Sequence, residues 1–273
     1  MALLETTTGP IAYDERGDGD PIVLLSSGAH DRHDFDDLRD LLPTRFRSIA
    51  PDWPGHGESP LGEGAASAMR FADVAEQLVE RLAPQGAVVV GNSVGGFAAA
   101  RMAIRRPELV RALVLIDSGG FLGRGLQVRA FCALMARPRF LRAIYPWFAN
   151  RYMHPNSDAD RRVRDLGIAT TRQDPGLRAV SELWASFASP EHDLRREADS
   201  IAAPTLIVWG KRDPVIPLKV GRRLAATIPG ASLAVFDTGH APQVSDPRGF
   251  AAKFVPFAEA AFAREPAATE DIA

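Results

Sequence analysis

The chain has one cysteine, three lysines, almost no net charge and no long apolar run, and each shortage excludes something. The lone Cys132 cannot close an internal disulfide and cannot build a multi-cysteine zinc or iron–sulfur site. Lysine occurs only at Lys211, Lys219 and Lys253, so arginine carries nearly all of the 32 basic charges, a bias read here as genomic base composition rather than function. Those 32 stand against 34 acidic side chains, a formal charge of −2, so the molecule as a whole has no electrostatic reason to bind nucleic acid. The apolar run Ala87–Val90 has a strand's length, and nothing approaches the roughly 20 residues of a membrane span. The opening MALLETTTGP lacks the basic and apolar regions of a signal peptide. A cytoplasmic protein with no membrane span is the expectation.

What the chain does have is core-forming material: 46% hydrophobic and 24% charged residues over 273 positions, enough to bury a large core as one α/β unit. Ile11–Tyr13 and Pro21–Leu25 read as strands around a hairpin-type turn at Gly17–Asp20, followed by a short helix over Asp36–Leu42 and a strand at Phe46–Ala50. Ser67–Leu82 is helical, with Phe71, Val74, Ala75, Leu78 and Leu82 spaced by three or four. Ala87–Val90, Leu113–Ile116, Leu206–Trp209 and Leu233–Phe236 read as strands, alternating with helices at Gly95–Arg106, Leu218–Ala226 and Phe250–Phe262. Near-continuous apolar strands alternating with helices predict a mostly parallel sheet flanked by helices on both faces.

Residues 121–187 interrupt the alternation. They hold nine of the chain's aromatic side chains and 11 arginines against five acids, show helical spacing, and read as a helical insertion. The core is therefore expected over 1–120 and 188–265, with a flexible tail at 266–273, rich in alanine and acidic residues.

Gly91-Asn92-Ser93-Val94-Gly95 matches G-x-S-x-G between an apolar strand and a helix. A nucleophile on so sharp a turn needs small neighbours, which Gly91, Gly95 and Gly96 supply, and the helix N-terminus behind Ser93 favours developing negative charge. A dinucleotide loop is disfavoured, because it would need glycine where Ser93 stands. A serine hydroxyl needs a base oriented by a third group. Asp213 follows the strand Leu206–Trp209, and His240 follows the strand Leu233–Phe236. Both leave the carboxyl edge of the sheet, where they can converge with Ser93.

The elbow GNSVGG, the loops WGKRDPVIP and DTGHAPQ, and the upstream DWPGHGES, in this order of catalytic residues, resemble the α/β-hydrolase family over almost the whole chain. The resemblance implies an α/β-hydrolase fold with Ser93 as nucleophile, His240 as general base and acid, and Asp213 as orienting carboxylate. Asp117, at the end of Leu113–Ile116, is the competing acid, since some members carry it there. The resemblance also implies an oxyanion hole from the Val94 amide and a donor in Ser26-Ser27-Gly28-Ala29-His30. Aligning Gly28 with the family glycine makes that donor Ala29, and a shift by one makes it Gly28.

The insertion resembles the helical cap of such enzymes, which would place Phe121, Trp147, Phe148, Trp184 and Phe187 around an apolar pocket, while for any single one of them packing within the cap's own core is the stronger expectation. Gly28 and His30 are further candidates for touching substrate, with His33 as an alternative to His30. The histidines at 30, 33 and 56 fit no metal-binding spacing, so no metal is expected, and no cofactor is implied because a triad supplies every proton transfer. The expected partner is a small apolar or aromatic carbonyl substrate, an acidic one also suiting the formal +6 of the insertion. No oligomeric state is predicted. The expected activity is hydrolysis of an ester-like substrate, a carboxylic ester or lactone, through an acyl-enzyme. Carbon–carbon hydrolysis of a dienoic diketone, or cofactor-free perhydrolysis or lyase chemistry, would use the same residues, and a non-catalytic ligand receptor is the reading from another class. Dehalogenase and epoxide hydrolase chemistry would need an aspartate in place of Ser93.

Overall fold

The computed structural model describes residues 1–264. The tail expected at 266–273 lies outside the described residues. Strands β1 (Ala2–Thr6), β2 (Gly9–Arg16), β3 (Asp20–Leu25), β4 (Phe46–Pro51), β5 (Ala87–Asn92), β6 (Val110–Ile116), β7 (Thr205–Gly210) and β8 (Ser232–Phe236) form one sheet in the order β1-β2-β4-β3-β5-β6-β7-β8. The pairs β1–β2 and β2–β4 are antiparallel, and every later pair is parallel. Every position of β5 and β7 is buried, because helices cover both faces of a parallel sheet. The edge strand β8 is only partly covered.

The helices among the described residues are α1 (Asp36–Arg39), α2 (Ala68–Leu82), α3 (Val94–Arg105), α4 (Leu126–Met135), α5 (Pro138–Met153), α6 (Asp158–Arg172), α7 (Asp174–Ser186), α8 (Leu218–Thr227), α9 (Pro242–Ser245) and α10 (Pro247–Ala263). Helix α2 begins where the Ser67 hydroxyl accepts the Arg70 N–H at 3.1 Å, and its Phe71, Val74, Ala75 and Leu78 form one buried stripe. It shares one core with α3 and α8, while Leu38 of α1 and Phe250, Phe254 and Ala258 of α10 fill the core on the opposite face. No described helix is long and apolar enough to cross a membrane.

The glycine-rich turn at Gly17–Asp20 does not make a hairpin. β4 lies between β2 and β3, pairing antiparallel with the first and parallel with the second. The turn signal is genuine, but its glycines serve a close approach: a Cβ at Gly17 would sit 2.2 Å from the Phe46 carbonyl oxygen, and the turn folds over the start of β4. Burial of β3 from Ile22 to Leu25 draws that strand into the sheet's interior, beside β5. Strand β1 stands outside every strand expected above.

Helices α4–α7 stand between β6 and β7 in the chain and build a third apolar cluster from Met135, Leu141, Tyr145, Ala149, Val163 and Val180. Ser157 and Asp160 close a capping box at the start of α6, and prolines occupy the first turns of α5 and α7, where a missing N–H costs nothing.

Candidate active site

β5 ends at Asn92, and the chain turns into α3 through Ser93, which adopts φ 57° and ψ −114°. A non-glycine residue there stores on the order of 1–3 kcal/mol of backbone strain, tolerated only where the surroundings fix it. They do so by hydrogen bonds: the Ser93 N–H donates to Ile116 O (3.0 Å), and Ser93 O accepts from Phe97 (3.0 Å) and Gly119 (2.8 Å). The turn also needs its glycines, since a Cβ at Gly95 would sit 2.2 Å from Leu25 O and one at Gly91 2.2 Å from Gly95 O. Asn92 ties the turn across the sheet, donating from Nδ2 to Ile116 O (3.1 Å) and His240 O (3.0 Å).

The loops after β7 and β8 bring Asp213 and His240 together, both buried, with Asp213 Oδ2 2.6 Å from His240 Nδ1. The other carboxylate oxygen accepts the Val215 (2.7 Å) and Ile216 (3.2 Å) N–H groups, which holds the side chain in one orientation. A carboxylate at Nδ1 selects the tautomer protonated there, leaving Nε2 with its lone pair. The His240 N–H donates to Tyr152 O (2.9 Å), and the Tyr152 ring stands edge-on to the imidazole at 5.6 Å. Ser93 and His240 line the same cavity of about 590 Å³.

The competing acid, Asp117, follows β6 and lies behind Asp213. Both its oxygens accept the Gly210 N–H (3.1 Å), and burial together with the adjacent Asp213 raises its pKa well above the usual carboxylate range. Asp213, not Asp117, is the carboxylate on the histidine. Asp117, Asp213 and His240 bring ligand-type atoms within 4.8 Å of one another, but backbone N–H groups and the imidazole already engage those oxygens.

Val94 opens α3, so its N–H has no acceptor within the helix, and it lines the cavity beside Ser93. For the second amide the structure corrects the alignment that favoured Ala29. Ala29 is buried away from the cavity, and its N–H donates to His56 Nε2 at 3.0 Å. His56 Nδ1 in turn donates to Pro54 O (3.1 Å), and burial pushes this histidine down to about 4, so it stays neutral and keeps its acceptor. Gly28 lines the cavity instead, facing Val94 closely enough that a Cβ on it would lie 3.9 Å from Val94 Cγ1.

Residues 22–253 match the model of the Alpha/beta hydrolase family. The chain belongs to this family. Among its relatives, a pimeloyl-(acyl-carrier protein) methyl ester esterase of Neisseria meningitidis is 31% identical over 250 residues, spanning 87% of this chain and 92% of the relative. A hydrolase from Pseudomonas aeruginosa superposes with a TM-score of 0.81 at 25% identity, over 94% of this chain and 97% of that one. A structure described as an N-acyl homoserine lactone degrading enzyme gives 0.76 at 27%, over 94% and 100%.

Within this α/β-hydrolase the other expected pocket residues divide. Trp147, Phe148, Trp184 and Phe187 line the cavity with Ser93, Trp147 at an exposed position. Phe121 does not: it is buried beside a smaller hollow, and its carbonyl accepts from Arg223 (2.8 Å). His30 also turns away, because Asp34 (2.8 Å at Nδ1) and the Tyr152 hydroxyl (2.6 Å at Nε2) hold it inside the protein. His33 is exposed and paired with Asp36. The sequence reading missed Phe131, Tyr145, Tyr152 and His192 as wall residues. The first three were visible as aromatics at helical spacing, but nothing in the sequence told inward from outward. His192 had no local signal at all.

Proposed function

We propose that the protein is a serine hydrolase of carboxylic esters, lactones included, acting through an acyl-enzyme. The observation carrying this reading is the pairing of Asp213 with His240 on the wall of the cavity that also exposes Ser93 at its strained, helix-capping turn. His240 Nε2 takes the Ser93 proton as Oγ attacks the substrate carbonyl carbon. The carbonyl oxygen becomes an oxyanion at the Val94 and Gly28 N–H groups and the positive end of α3. Collapse breaks the ester bond, the alcohol leaving with the proton carried by His240. Water then attacks the acyl-enzyme, gives its proton to His240, and Ser93 leaves with that proton as the acid is released.

Helices α4–α7 act as a cap over this site, and the aromatic wall suits an apolar acyl chain. The methyl ester esterase and the lactone-degrading enzyme among the relatives support an ester bond as the target. Exposure to a small fluorophosphonate, read by intact mass, tests the reading. The wild type is expected to gain one adduct that Ser93→Ala does not; an unlabelled wild type, with no turnover of methyl esters or lactones, would overturn it.

A further inference from the structure

His192 belongs to no part of the mechanism above, yet it stands in the same cavity as Ser93. It ends the short turn Pro190–His192 that follows α7. Its ring lies between Phe97 (centroids 4.5 Å apart) and Phe187 (4.8 Å), which fixes its plane. It also rests on the nucleophile turn. A Cβ on Gly119 would lie 3.4 Å from both Cε1 and Nε2 of His192 and 3.1 Å from Ser93 O, so the imidazole sits at contact distance from this residue. The Gly119 N–H itself donates to Ser93 O, placing the ring one residue from the backbone that carries the nucleophile.

An imidazole so placed ordinarily has both nitrogens hydrogen-bonded when buried. Here Nδ1 is sealed off with no hydrogen-bond partner among the described residues, while Nε2, beside Gly119 on the cavity wall, forms no hydrogen bond to them either and is the nitrogen open to a ligand. We propose that His192 is a specificity residue that hydrogen-bonds a neutral oxygen substituent, keto or hydroxyl, on the substrate's carbon chain. The inference rests on the ester-hydrolase reading for the identity of the substrate, while the subsite itself is defined by the ring's position.

The neutrality of the substituent follows from the surroundings. Burial pushes His192 down to about 4, so at neutral pH it offers one N–H and one lone pair rather than a charge. Asp193 lines the same stretch of wall, and its hydrogen bonds to Arg195 (2.8 and 2.7 Å) hold its carboxyl below the usual range, so it is ionised. A substrate carboxylate at this point would gain no cation from the imidazole, and Arg195 is already engaged by Asp193.

The test uses methyl butanoate, methyl 3-hydroxybutanoate, methyl 3-oxobutanoate and monomethyl succinate. Binding to Ser93→Ala is measured by calorimetry, and turnover by the wild type is measured in parallel. The oxygenated esters are expected to bind about tenfold tighter than the plain ester, the size of one hydrogen bond. Combining Ser93→Ala with His192→Phe, which keeps a ring in the stack, should bring that ratio to about one, and His192→Gln should restore part of it. Equal binding of plain and oxygenated esters, a ratio unmoved by His192→Phe, or tighter binding of the succinate would each overturn the proposal. Because binding is read without Ser93, a wild type that binds these esters selectively but never cleaves them would sink the hydrolase reading and leave the subsite standing.

Discussion

On the sheet side of the cavity, Ser93, His240 and Asp213 are placed by main-chain hydrogen bonds, with Gly91 and Gly95 where a Cβ would strike backbone; on the helical side, Phe148, Trp184 and Phe187 are placed by rings touching rings. Backbone geometry tolerates shifts of only a few tenths of an ångström, which is the tolerance that proton transfer and oxyanion stabilisation demand. Ring packing admits rotation and substitution at small cost, which suits a wall that has only to fit a chain. Under the proposed function the two sides would divide the labour, one setting whether a bond can be cleaved and the other which molecule carries that bond. His192 crosses the divide, since its ring packs with Phe187 while it rests on the Ser93 turn.

That division can be broken most severely on the sheet side. Asp213→Asn should lower kcat by about 10⁴-fold, because an amide at that position allows the wrong tautomer of His240. Asp117→Asn should cost no more than about tenfold, because Asp117 is not the carboxylate on the histidine and an amide oxygen in its place can still accept the Gly210 N–H. Equal losses in kcat for the two variants would mean that both carboxylates act on the histidine.

A smaller effect separates the scaffold behind the site from the site itself. His56 is held at about 4 by burial, against about 6.5 in an unfolded chain. Between those values the unfolded chain binds a proton that the native protein does not, so this contribution to stability is present above the unfolded pKa. It is lost as pH falls from about 6.5 toward 4. The whole contribution is on the order of 3 kcal/mol. His56→Gln removes the titrating group, so the gap in unfolding free energy between wild type and variant should narrow over that window in urea titrations at pH 7 and pH 4.5. A gap that stays constant would show that His56 is not kept neutral by the fold.

The smallest effect is expected on the helical side. Trp184→Ala removes a ring that touches Phe131, Phe148 and Phe187, and should raise KM for long-chain methyl esters by about tenfold while lowering kcat much less. A loss confined to kcat would place Trp184 among the groups that set the geometry of the reaction.

The parts of the site legible from sequence share one property: their signals are local. The strand-to-helix turn around Ser93, the apolar strands preceding Asp213 and His240, and the buried stripe of α2 are each written in a few consecutive residues. The errors came where a partner is distant. The turn at Gly17–Asp20 was legible as a turn, but which strand lies beside β2 depends on β4, far along the chain. Ala29 and Gly28 are neighbours with similar claims as donors, and only the arrival of His56 from another loop takes the Ala29 N–H. His30 carries the composition of a pocket residue, and its hydroxyl partner, Tyr152, is 122 residues away.

The amino-acid sequence by itself determined the layered α/β architecture, the strained turn that holds Ser93 and the loops that carry Asp213 and His240. Local backbone preference and hydrophobic periodicity act over a handful of residues and need no partner to be read. The tertiary structure alone decided that His56 takes the Ala29 N–H, which of two aspartates pairs with His240, and which aromatic rings line the cavity. Each of those outcomes depends on burial and on hydrogen bonds between groups that only the folded chain brings together.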